Sequence, residues 1–153
     1  MPRLSFGYSK FDIPASPPFP NGQTIFRPVL IAQLVGPSGQ PFRCVACLDT
    51  GADQCTFPLS FAAHIGFDYL KMPMHLTGGC GSTANPTYYG NVEIRIPVAV
   101  GSGVIQELLF TTFAGFTTGM DPQGIGLLGG CGFFENYIVV FDRKNKAFHI
   151  ETP

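Results

Sequence analysis

Charge is what this sequence has least of: Asp, Glu, Lys and Arg make up 12% of its 153 residues, about half the share usual for a soluble domain. Nine Lys and Arg stand against ten Asp and Glu, a net charge of −1. No basic block is present to neutralise a row of phosphates, which excludes nucleic acid as an expected partner. Long hydrophobic runs are also missing. No stretch approaches the length that spans a bilayer, and residues 1–20 lack the charged start and apolar run of a leader, so no membrane association is expected. There is no G-x-S-x-G nucleophile elbow, no G-x-x-x-x-G-K-[ST] phosphate loop and no H-E-x-x-H zinc helix. The run Gly124-Ile125-Gly126-Leu127-Leu128-Gly129 has dinucleotide-binding spacing, but it follows Met120-Asp121-Pro122-Gln123 instead of a strand, which denies a phosphate its helix N-terminus. Asn85-Pro86-Thr87 carries Pro in the position that blocks glycosylation. His64, His75 and His149 are scattered, so each is expected to pack structurally, and neither a metal nor a cofactor is expected.

Cysteine is sparse and odd in number, at five, in a chain long enough to fold without disulfides. A cytoplasmic or otherwise reducing compartment is the expectation. Cys44 and Cys47 have the spacing of half a zinc site, yet they lie on a predicted strand, where residues three apart face opposite sides.

Apolar residues, by contrast, make up 45% of the chain. At this length roughly two-thirds of the unfolded surface can be buried in one domain. So apolar a composition with so little charge leans toward an interior extended by a partner, and a homodimer is the commonest such arrangement.

Residues 1–24 hold five of the fourteen prolines and show no sustained period, which predicts an arm, with a single domain over 25–153. A hairpin follows: a strand over 27–35, turn chemistry at Gly36-Pro37-Ser38-Gly39, and a strand over 42–48. A short helix is predicted over 58–65, with Pro in its first turn and Gly66 as its stop. Strands over 74–77 and 92–96 flank a segment rich in Gly, Ser, Thr and Asn, predicting a long hairpin. Another strand covers 108–113. A second short helix over 131–136 and strands over 137–141 and 147–151 complete the pattern, which has no internal repeat. The fold class is mostly β.

The strand over 42–48 runs directly into Leu48-Asp49-Thr50-Gly51-Ala52-Asp53. Asp-Thr-Gly alone also suits a surface turn, with Asp capping and Gly relaxing the backbone. With its trailing Ala-Asp, however, the segment resembles the active-site motif of aspartic peptidases, in the form of the retroviral branch. Leu127-Leu128-Gly129 is similar to the element that packs beside the catalytic loop in that family. The order of elements also resembles the retropepsin layout from about Arg27 to Glu151, roughly four-fifths of the chain.

The resemblance implies a closed, barrel-like fold with one or two short helices. It implies an aspartic endopeptidase acting on peptide or protein substrates, with Asp49, Thr50 and Gly51 as the catalytic motif. Ala52 and Asp53 would hydrogen-bond the substrate main chain, Gly78, Gly79, Cys80 and Gly81 would form the tip of a covering flap, and Leu127, Leu128 and Gly129 would support the loop. Peptide hydrolysis by carboxylates needs one ionised and one protonated carboxyl. The chain has a single Asp-Thr-Gly, so a homodimer is expected to bring two copies of Asp49 together. Two features depart from the viral pattern. The stretch 82–89 makes the flap longer, and Gly130-Cys131 stands where Arg usually follows, which leaves the partner of Asp53 unidentified. The other reading keeps this fold as an inactive dimerisation or peptide-binding module.

Overall fold

The computed structural model describes residues 3–78, 83–101 and 103–153. In chain order its first strands are β1 (Arg3–Gly7), β2 (Ser9–Ile13), β3 (Gln23–Arg27), β4 (Val29–Val35), β5 (Phe42–Leu48) and β6 (Thr56–Pro58). Helix α1 (Leu59–His64) is followed by β7 (Met74–Thr77), β8 (Asn85–Val100), β9 (Val104–Thr117), β10 (Gly126–Leu128), β11 (Ile138–Asp142) and β12 (Ala147–Glu151). Mostly β is therefore correct, with one α-helix among the described residues. No helix among them is long and apolar enough to cross a membrane.

The chain divides into two compact units. The first takes the residues up to Val29 together with 137–153. In it β12 pairs with β1 on one side and β11 on the other, all antiparallel, and β2 pairs with β3. Leu4, Phe148 and Ile150 are its buried apolar side chains, and Phe6 stacks on Phe148 with centroids 5.0 Å apart. Segment 1–24, read as an arm, thus contributes strands β1 and β2.

The second unit, Leu30–Asn136, is a closed barrel. Its strands run β4-β5-β10-β6-β9-β8, and β8 pairs back onto β4, which closes a ring of six; β7 attaches outside it to β8. Alternation explains the strands. Leu30, Ala32 and Leu34 on β4, Cys44, Ala46 and Leu48 on β5, and Val92, Ile94, Ile96 and Val98 on β8 all point inward and are buried, while the residues between them face out. Cys44 and Cys47 accordingly face opposite ways, one buried and one half-buried. Burial alone pushes the Cys44 thiol up to about 12.

Helix α1 is short because its ends are fixed. Pro58 precedes it, Asp121 Oδ1 accepts from the Ser60 N–H at 3.1 Å, and Gly66 turns the chain at φ +94 where a Cβ would meet Ser38 N at 2.6 Å. The helix predicted over 131–136 is absent, and that segment is a series of turns. Gly132 is the reason: its φ of +97 interrupts any right-handed helix, and it lies so close to β9 that a Cβ would stand 2.5 Å from Thr112 Oγ1.

Candidate active site

Asp49 sits where β5 ends, and the backbone of a distant segment holds it there. β10 pairs parallel to β5, with Leu127 beside Cys47 and Leu128 beside Leu48, and antiparallel to β6 at Thr56. Two strands that are consecutive along one side of the Asp loop are thus parted by a third, threaded between them. The Asp49 N–H donates to the Leu128 carbonyl at 3.0 Å. Further on, the Gly130 N–H donates to Ala52 O at 2.8 Å and the Cys131 N–H to Asp53 O at 2.7 Å. Loop 49–53 is therefore stitched along 128–131 at both ends.

Within the loop, Asp49 Oδ1 accepts from the Gly51 N–H at 2.9 Å, and Asp49 O accepts from the Ala52 N–H at 3.2 Å. The first bond fixes the carboxylate's rotation and leaves Oδ2 without a hydrogen-bond partner among the described residues. Glycine is required where the two segments meet. A Cβ on Gly129 would stand 2.5 Å from Gln54 O and 2.6 Å from Ala52 O, and one on Gly126 would stand 2.4 Å from the buried ring of Phe57. A Cβ on Gly51 would crowd the Asp49 carboxylate itself at 3.2 Å.

Asp49, Gly51, Ala52, Asp53, Gly78 and Leu127 line one cleft of about 810 Å³. Leu128 and Gly129 are buried beneath it. Thr50 is exposed beside Asp49, and its hydroxyl has no partner among the described residues. Gly79, Cys80 and Gly81 lie outside the described residues. The Asp53 carboxylate is exposed and has no ion-pair or hydrogen-bond partner among the described residues, so none of them fills the place of the missing Arg. Cys131 lines the cleft instead, a free and exposed thiol. Close by, burial pushes the Cys55 thiol up to about 11, and Cys55 Sγ contacts the Cys131 carbonyl at 3.5 Å. Among the described residues, no three His, Cys, Asp or Glu side chains are grouped so as to hold a metal ion.

Sequence reading missed the other lining residues. His75, expected to pack structurally, is exposed on β7 and lines the cleft, as do Thr77, Asn85, Thr87, Tyr89 and Thr117. The signal was the alternation of Asn85, Thr87 and Tyr89 on β8, obscured because that stretch reads as a glycine- and serine-rich loop. The β7-β8-β9 side of the cleft is lined by polar side chains.

No protein-family profile matches the chain, and no curated protein does either. Among solved structures, a retropepsin-like aspartic protease from Rickettsia conorii is similar at 17% identity over 92% of this chain and 98% of that one, with a TM-score of 0.49.

Proposed function

We infer that the chain is one subunit of an aspartic endopeptidase whose active site is completed by a second copy. The observation that carries this reading is the setting of Asp49. Its main chain is fixed by Leu128, its carboxylate is oriented by Gly51 with one oxygen left open among the described residues, and it lines a cleft of about 810 Å³. The motif's resemblance to the retropepsin active site points the same way.

One carboxylate cannot do the chemistry alone. Hydrolysis needs a base for water and an acid for the departing amide, and two crowded carboxyls share a proton, as the general case of the aspartic-protease dyad illustrates. In the symmetric dimer the ionised Asp49 takes a proton from a water, whose oxygen bonds to the scissile carbonyl carbon. The protonated Asp49 of the second copy gives its proton to the carbonyl oxygen, which becomes the second hydroxyl of a gem-diol adduct. When this adduct collapses, the first Asp49 passes the proton taken from water to the amide nitrogen, the second takes a proton back from a hydroxyl, the C–N bond breaks, and acid and amine leave. Thr50 braces the two loops across the two-fold axis. Gly51 admits the substrate backbone, Ala52 and Asp53 bond to it as to an added strand, and the hairpin beginning at Gly78 covers it.

The test is digestion of a peptide library by wild type beside Asp49→Asn, across pH and protein concentration. Wild-type cleavage should rise more steeply than linearly with concentration near the dimer dissociation constant. Its rate should fall at high pH, where the pair loses its shared proton, and at very low pH, where both carboxyls are protonated. Asp49→Asn should lose about 10²–10⁴-fold or more in rate while remaining folded. Equal cleavage by both proteins would falsify the assignment. If neither cleaves, the inactive binding-module reading takes its place.

A further inference from the structure

The cleft that holds the Asp49 loop has a second lining surface, one face of the sheet β7-β8-β9. Register sets His75 opposite Thr87, Thr87 opposite Thr117, and Thr77 opposite Asn85. Asn85, Thr87 and Tyr89 alternate along β8 and share that face. All six line the cleft, and none is Lys, Arg, Asp or Glu. Thr87 is 1% exposed, and its hydroxyl is paired with that of Thr77.

Tyr89 is the most firmly positioned of the six. Directly opposite it on β9 is Gly115, where a Cβ would stand 3.2 Å from the Tyr89 ring and 2.8 Å from the Thr87 methyl. The ring thus lies over a glycine that leaves room for it, and it stacks on Phe113 with centroids 5.7 Å apart. Burial raises the pKa of the phenol, which keeps it a hydrogen-bond donor.

We propose that this wall forms a specificity pocket for an uncharged hydrogen-bonding side chain, Gln, Asn, Ser or Thr, next to the scissile bond; the proposal rests on the endopeptidase reading. An extended peptide turns alternate side chains toward the wall. A leucine there would strip water from the Thr77 and Tyr89 hydroxyls and the Asn85 amide without replacing its bonds. An acidic side chain would meet a wall with no Lys or Arg to pair with. A Lys or Arg would meet a wall with no carboxylate to pair with.

The experiment uses peptides identical except at that one residue, followed by cleavage with wild type and by fluorescence-anisotropy binding with Asp49→Asn. Polar neutral residues should exceed Leu and Phe by about tenfold, the discrimination that one hydrogen bond supplies. Tyr89→Phe and Thr77→Val, each verified as folded by thermal melting, should both lower that ratio severalfold. An apolar preference in both arms overturns the proposal, as does a ratio that neither variant moves. If wild type cleaves nothing while Asp49→Asn binds with the polar preference, the endopeptidase reading fails and the pocket stands. Cleavage without the preference has the opposite meaning.

Discussion

On the loop side of the cleft the backbone does the positioning, through carbonyls and N–H groups running from Asp49 to Leu128 and from Gly130 to Ala52, whereas on the β7-β8-β9 side the side chains do it, through Thr77 on Thr87 and Tyr89 on Phe113. The loop side tolerates almost no added atom. At Gly129 an extra carbon would collide with two main-chain oxygens, neither of which can rotate away. On the wall, the atoms nearest an added carbon at Gly115 are a methyl and a ring edge, and these can yield by a few tenths of an ångström. Rigid backbone contact suits a group that must hold a reacting carboxylate. Side-chain contact suits a surface that distinguishes among substrates.

Gly129→Ala is the most damaging single change expected for this contrast. Backbone must shift to admit the methyl, which costs about 1–3 kcal/mol or more, and the Asp49 loop moves with it. Chemical denaturation should register the loss of stability, and peptide cleavage should fall further than stability alone accounts for. Normal cleavage in this variant would mean that residues 128–131 do not hold the loop.

Gly115→Ala should cost less, about 1 kcal/mol, because only side chains have to give. Its larger effect should be on which peptides are chosen, since the Tyr89 ring loses its place. A library profile identical to wild type would argue that the wall does not read side chains.

The smallest effect separates thiols by position. Cys44 and Cys55, raised from the ordinary 9.0 to about 12 and about 11 by burial, stay protonated and unreactive at neutral pH, while Cys131 is exposed in the cleft. Mass-mapped alkylation should label Cys131 in the native protein, and Cys44 and Cys55 only as it unfolds. A raised folded pKa contributes stability that is complete below 9.0 and is lost as pH rises toward the folded values. Denaturation midpoints should therefore drop between pH 9 and 12, and less so in a Cys44→Ala, Cys55→Ala double variant. A flat profile in wild type would contradict the burial of these thiols.

Much of the fold could be read directly. The predicted strands over 42–48, 74–77 and 147–151 coincide with β5, β7 and β12, and the helix over 58–65 contains α1, because in each case local pattern and tertiary environment agree. β8 and β9 run well beyond the predicted 92–96 and 108–113. Pro86, Gly90 and Gly115 are poor strand formers taken into strands by pairing with β7, β9 and β8, and a Cβ at Gly90 would strike the Phe67 ring at 2.7 Å, a packing constraint that no local pattern reveals. The helix over 131–136 failed on one left-handed glycine. In the site, the contiguous residues 48–53 and 127–129 were legible because each motif is local. The wall was not, because it gathers alternate residues from three strands and no short window contains them all.

Threading β10 between β5 and β6 also has a consequence in time. The strand that fastens the Asp49 loop is encoded far downstream of it, so while the chain is being synthesised the loop has no anchor until residues 126–131 have emerged. Contacts so distant in sequence form late. Asp49 cannot reach its fastened geometry on a partly made chain, and under the proposed function a nascent polypeptide would cut nothing until the barrel is complete.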